Sequence, residues 1–170
     1  GAGAVNLNAD LIAGAGKLVG NSTVVNVISN SAALQDAIDI AGAGAVIEVD
    51  SGDTYNEDLV VDKANLTLQS DLAMSPTIQL QTEVVGIELR SGADGFTLGG
   101  TPGRGFTLLS SAVGSGTGRN IELINAPADV TIAHNTIDTT GNASMGISVG
   151  AAGSDGLTIN DNTFFADVGD

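Results

Sequence analysis

The sequence predicts an all-β fold, a right-handed parallel β-helix (a β-solenoid) of about four to five rungs with a short N-terminal capping helix. Three observations carry this expectation: an internal repeat, a second repeat in step with it, and an apolar content of small and β-branched residues. The segment Val130-Thr131-Ile132-Ala133-His134-Asn135-Thr136-Ile137 recurs 27 residues later (130 to 157) as Leu157-Thr158-Ile159-Asn160-Asp161-Asn162-Thr163-Phe164. Leu66-Thr67-Leu68 and Phe96-Thr97-Leu98 repeat its core, an outward Thr between two inward apolar residues.

The second series is Ile47-Glu48-Val49, Ile87-Glu88-Leu89, Ile121-Glu122-Leu123 and Ile147-Ser148-Val149, at offsets of 40, 34 and 26 residues (47, 87, 121, 147). Each member precedes one of the first series across turn-forming Gly, Asp, Asn and Ser. The unit is therefore strand, turn, strand, turn, strand. Such a unit buries no apolar face alone, but units stacked at about 4.8 Å pair in parallel and enclose an apolar column. The 170 residues are 42% hydrophobic with 24 glycines and only 3% aromatics, which suits a thin, repetitive core.

Two regions follow in chain order. Residues 1–30 form an N-terminal segment in which Leu11-Ile12, Lys17-Leu18-Val19 and Val24-Val25-Asn26-Val27-Ile28 read as strands, either donated to a neighbour or folded back as an extra rung. Residues 31–170 form the β-helix. Its capping helix spans 31–41, with Leu34, Ala37, Ile38 and Ala41 at helical spacing, Ser31 as N-cap and Gly42 as stop. Rungs begin near residues 46, 86, 120 and 146, and residues 72–82 and 104–117 supply third strands and looser loops. Asn135 and Asn162 fall at equivalent turn positions, where an asparagine ladder would satisfy buried turn backbone. Glu48, Glu88 and Glu122 would align as an outward line of like charge, and His134, whose repeat partner is Asp161, would face solvent.

Charge restricts the partners. Five Lys plus Arg against twenty Asp plus Glu give a net charge of −15, which repels nucleic-acid phosphates and anionic membranes. No apolar run approaches membrane-spanning length, and the chain opens Gly1-Ala2-Gly3 as if processed. There is no Cys, hence no disulfide framework and no thiol site. Acidity and architecture together suggest an extracellular or cell-surface protein.

Residues 32–68 carry a further pattern: a helix containing Leu34-Gln35-Asp36-Ala37-Ile38, then Ile47-Glu48-Val49, Gly52, Tyr55, Glu57, Lys63 and Leu66-Thr67-Leu68. This resembles the opening of the pectin-lyase-like β-helix superfamily, which includes pectin methylesterases, polysaccharide lyases and phage tailspikes. Residues 86–165 resemble the generic repeats of such proteins, with the Asn-Thr-Ile unit at Asn135-Thr136-Ile137. The resemblance implies the fold. It implies no single activity, because enzymes and inert stalks share that architecture.

Lyase or esterase chemistry would need a base beside a uronate, or paired aspartates with an Arg. Lys17, Lys63, Arg90, Arg104, Arg119 and His134 are the available cationic groups and none stands in such a motif, so no catalytic residue is assigned. Asp50, Asp53, Glu57, Asp58 and Asp62 are the candidate calcium ligands, although they lack the alternating spacing of a dedicated loop; no other cofactor is expected. Sequons start at Asn21, Asn65 and Asn142. A last rung ending in Phe164-Phe165, with no helix after it, and the strand residues Val24, Val25, Val27 and Ile28 are the candidate assembly surfaces. The expected function is a structural or adhesive extracellular subunit forming a head-to-tail homo-oligomer, with a carbohydrate-binding or polysaccharide-processing domain as the alternative.

Overall fold

The computed structural model describes residues 3–9, 20–81, 84–110, 118–140, 143–150 and 152–166. The strands expected at Leu11-Ile12 and Lys17-Leu18-Val19, the opening Gly1-Ala2 and the sequon residue Asn142 lie outside them.

Alternating apolar residues with short polar turns make the chain a succession of short strands. Strands β1 (Ala4–Leu7) and β2 (Ser22–Val27) come first, followed by helix α1 (Leu34–Ile40). The next three strands are β3 (Ala41–Val49), β4 (Thr54–Asn56) and β5 (Leu59–Val61). The same order repeats in β6 (Thr67–Ser70), β7 (Thr77–Gln79) and β8 (Val85–Leu89), then in β9 (Thr97–Gly99), β10 (Thr107–Leu109) and β11 (Gly118–Leu123). It repeats once more in β12 (Thr131–Ala133), β13 (Thr136–Asp138) and β14 (Ala143–Val149), and the last described strands are β15 (Thr158–Asn160) and β16 (Thr163–Phe165).

From β3 on, every third strand falls in the same sheet, and all pairings are parallel. Among the described residues sheet A has seven strands in the order β1-β2-β3-β6-β9-β12-β15, sheet B has five, β16-β13-β10-β7-β4, and sheet C has four, β14-β11-β8-β5. This is the stacked, all-β arrangement that the repeats imply, with one short helix among those residues. The core is a set of columns running across the rungs. In sheet A the register stacks Val5, Val25, Ile47, Leu68, Leu98, Ile132 and Ile159. The four residues expected to share a column, Leu68, Leu98, Ile132 and Ile159, do so. Sheet B stacks Tyr55, Ile78, Leu108, Ile137 and Phe164, and sheet C stacks Leu59, Ile87, Ile121 and Ile147.

One register expectation is overturned. Ile47-Glu48-Val49 belongs to β3 and pairs with Leu68-Gln69-Ser70 in sheet A, whereas Ile87-Glu88-Leu89 pairs with Leu59-Val60-Val61 in sheet C. An apolar-polar-apolar triplet has the same face pattern in every sheet, so pattern alone misplaced it. Glu48 consequently does not continue the line of Glu88 and Glu122, which are in register with each other. Each glutamate also has its own cation: Arg104 on Glu48, Arg90 Nε at 2.5 Å from Glu88, and Arg119 Nε at 3.5 Å from Glu122.

A left-handed residue recurs within or shortly before each sheet A strand from β3 on: Gly44, Asn65, Gly95, Asp129 and Gly156, with φ of 77°, 57°, 69°, 55° and 69°. Their N–H groups donate along the stack, Asn65 to the Asp94 carbonyl at 2.6 Å, Gly95 to Ala128 at 2.8 Å and Asp129 to Asp155 at 2.7 Å. Side-chain-bearing residues alternate with glycine, and at two of the three glycines a side chain would clash. A Cβ on Gly95 would lie 2.3 Å from Asn65 Oδ1, and one on Gly156 would lie 2.2 Å from Asp129 Oδ1.

Helix α1 buries Leu34, Ala37, Ile38 and Ile40 against β2, β3 and β5. Its caps correct two expectations. Ala33 occupies the N-cap with no side-chain cap bond, so Ser31 does not cap the helix. Instead Glu57 accepts from the Leu34 and Gln35 N–H groups at 2.7 and 3.0 Å. Gly42 is not a left-handed stop either. The chain passes from α1 directly into β3, and Gly42 is small because a Cβ there would lie 2.3 Å from Asn21 Oδ1. Lys63 Nζ takes the C-terminal carbonyls of Ile38, Asp39 and Ala41 at 2.9, 2.5 and 2.9 Å. A carboxylate at the N-terminus and an ammonium at the C-terminus also oppose the helix dipole. A seven-residue helix has little stability of its own, so these tertiary caps hold it. Replacing Glu57 with Ala is expected to cost about 1–2 kcal/mol, the upper range for loss of an N-cap, read as a lower Tm in thermal denaturation. An unchanged Tm would show that water replaces Glu57 without loss.

Candidate functional site: the C-terminal end of the stack

The strand-like N-terminal residues pack within their own chain. β1 pairs with β2 and β2 with β3, both in parallel, so they extend sheet A by two strands beyond β3. Val25 and Val27 are fully buried there, Val24 is half-buried and Ile28 is exposed. As placed, Val25 and Val27 are core residues rather than surface available to a neighbour.

The opposite end is different. Among the described residues, β15, β16 and β14 are the last strands of their sheets, and the apolar side chains collected there stand in solvent. Met145 and Val149 are 43% exposed, Ile159 45%, Phe164 53% and Phe165 52%. Among the described residues, the columns that bury Ile132 and Ile137 completely thus reach Ile159 and Phe164 with no partner on the outer side. Within the same residues this end has an apolar face and edge strands with no further strand beside them, the two properties that favour pairing with another chain.

Beneath this end lies the asparagine ladder. Asn135 Oδ1 accepts from the Phe106 N–H at 3.0 Å, and Nδ2 donates to the Leu98 and Ala133 carbonyls at 3.1 and 2.9 Å. Asn162 repeats the role one rung on, with Oδ1 accepting from the Asn135 N–H at 2.9 Å and Nδ2 donating to the Ile132 carbonyl at 2.7 Å. Both follow single left-handed residues, His134 at φ 61° and Asp161 at φ 54°. His134 is half-buried rather than freely solvated, with Nε2 at 3.8 Å from Asp161 Oδ2, and it lines a pocket of only about 130 Å³ with Met74, Ser75 and Phe106.

The five acidic candidates of residues 50–62 do not form one shell. Among the described residues, no three carboxylates or imidazoles converge in a metal-holding group. Glu57 caps α1, and Asp58 Oδ1 accepts from the Gln81 N–H at 2.8 Å. The Asp53 N–H donates to Ser51 Oγ at 3.1 Å, and that hydroxyl donates back to the Asp53 carboxylate. Asp62 faces Arg90, Gln35 and Asp39 across a groove of about 330 Å³. Asp50 lies against Glu48 and Asp71; burial first, then those two charges, raise its carboxyl above the usual range. A raised folded-state value means that folding favours the protonated form, so Asp50 opposes folding above that range and ceases to as the pH falls through it. Millimolar Ca²⁺ is expected to shift the Tm no more than Mg²⁺ at equal ionic strength, and a shift specific to Ca²⁺ would establish a site.

No helix among the described residues is long and apolar enough to cross a membrane. Compared with protein-family models, curated proteins and solved structures, the chain matches none.

Proposed function

We propose that the chain is a right-handed parallel β-helix of the pectin-lyase-like type, serving outside the cell or at its surface as a structural or adhesive subunit that assembles head-to-tail. The observation that carries this reading is the distribution of exposed large apolar side chains. Among the described residues, five of the eight such side chains, Met145, Val149, Ile159, Phe164 and Phe165, fall on the final strands of the three sheets. A surface of this kind fits association better than catalysis. The resemblance of residues 32–68 supports the handedness and superfamily, and the acidic composition supports the location.

Association must overcome self-repulsion by a net charge of −15, which salt screens over about 10 Å at 0.1 M. Sedimentation and negative-stain imaging of the purified chain over a range of concentration and salt test the reading. Oligomers that grow with both are the expected outcome; a chain that stays monomeric at millimolar concentration and moderate salt would overturn it.

A further inference from the structure

The geometry points to a specific contact between copies: the edge of β15 and the edge of β1, each without a partner strand among the described residues, pair in parallel between one subunit and the next, with Ile159 stacked on Val5 and Asn160 on Asn6. This rests on the head-to-tail reading and assigns its interface. No strand has to leave its own chain.

Donor–acceptor complementarity supports it. Along a parallel strand, alternate residues turn their N–H and C=O groups to one neighbour and then the other. Thr158 donates back to the Val130 carbonyl at 2.8 Å, which leaves the Ile159 N–H and C=O facing the open end. At the other end Leu7 accepts from the Ile28 N–H at 2.9 Å, so Leu7 and Val5 face β2 while Ala4 and Asn6 present their backbone to the free edge. Ile159 N–H can then donate to the Ala4 carbonyl, and Asn6 N–H to the Ile159 carbonyl.

The same register satisfies the side chains. Inward Ile159 meets Val5, and the column from Val5 to Ile159 continues into the next copy without changing faces. Outside, Asn26 Nδ2 donates to Asn6 Oδ1 at 2.8 Å, leaving Asn6 Nδ2 as a donor. Asn160 Nδ2 is directed to Asp161 Oδ2 at 3.0 Å, leaving Asn160 Oδ1 as an acceptor. The Asn6–Asn26 pair would thereby become a three-member ladder across the joint. Both edges belong to one sheet and differ in direction, so each addition regenerates the same free edge and the assembly is open-ended.

Cysteine pairing tests the register, because the chain contains no native Cys. Residues 6 and 160 of one subunit lie six strand spacings apart in sheet A, about 29 Å, beyond any disulfide, so a bond between them must join two copies. Under mild oxidation Asn6→Cys/Asn160→Cys is expected to give a ladder of dimers, trimers and longer species on a non-reducing gel, at least tenfold faster than Asn6→Cys/Thr158→Cys. The latter is out of register by two residues. Equal rates for the two pairs, or dimers from Asn6→Cys alone at the same rate, in a protein that still assembles would overturn this contact and leave the head-to-tail reading standing. A wild-type chain that remains monomeric would overturn both.

Discussion

Replacing Ile132 with Asp is expected to unfold the protein at room temperature. Ile132 is fully buried in the sheet A column, one rung below its last member, between Leu98 and Ile159, and the residues stacked with it in that column are apolar and offer a carboxylate no partner. Burial of an unpaired charge, with loss of the isoleucine packing, belongs to the class of substitutions costing more than about 4–5 kcal/mol. Total stability of a domain is about 5–15 kcal/mol, and water cannot reach this position without separating rungs. Ile159→Asp is the internal control. It occupies the same column one rung later but is 45% exposed, so its expected cost in the monomer is at most about 1 kcal/mol. Circular dichroism and thermal melts of the two variants decide the matter. A soluble Ile132→Asp protein with the wild-type Tm would refute the register.

Asn135→Leu is expected to be the most damaging replacement of a polar side chain. Leucine is close in size, so little packing changes, but the Phe106 N–H and the Leu98 carbonyl lose their Asn135 bonds in an interior where Asn135 itself is 2% exposed, while the Ala133 carbonyl keeps the Gly100 N–H at 3.2 Å. Two buried groups at about 1 kcal/mol or more each give a loss of roughly 2 kcal/mol or more. For a chain of this size that is a fall of about 4–8 °C in Tm. Asn162→Ala should cost only about 1 kcal/mol, because the Asn135 N–H and Ile132 carbonyl that it serves lie nearer the open end, where water can replace it. Equal effects of the two substitutions would mean that the last rung is as enclosed as the one before it.

The asparagines were legible in the sequence because a repeat of 27 residues brings them to the same corner, and their hydrogen bonds run between adjacent rungs. Glu57 and Lys63 were visible only as members of a pattern, not as caps. They bond to residues of the helix and its C-cap 22 to 25 positions away, and no local signal relates a carboxylate in the connection between β4 and β5 to the first turn of a helix that precedes it. The N-terminal strand residues Val24, Val25 and Val27 were likewise recognisable as strand, while their partner was not. Backbone pairing has the same chemistry within a chain and between chains, and only the packing of β2 between β1 and β3, against α1, selected the former.

What the sequence by itself determined is the strand periodicity, the inward and outward faces, and the equivalence of Leu68, Leu98, Ile132 and Ile159. These depend on a side-chain alternation of two and on like residues recurring at each rung, both of which are properties of the order of residues. The tertiary structure alone decided which sheet each triplet joins. Ile47-Glu48-Val49 and Ile87-Glu88-Leu89 are nearly the same local sequence, yet the first lies in sheet A beside Leu68 and the second in sheet C beside Leu59-Val60-Val61. A triplet offers each sheet the same apolar face, so the choice falls to the intervening turns, whose left-handed residues and backbone bonds to adjacent rungs set where the chain bends.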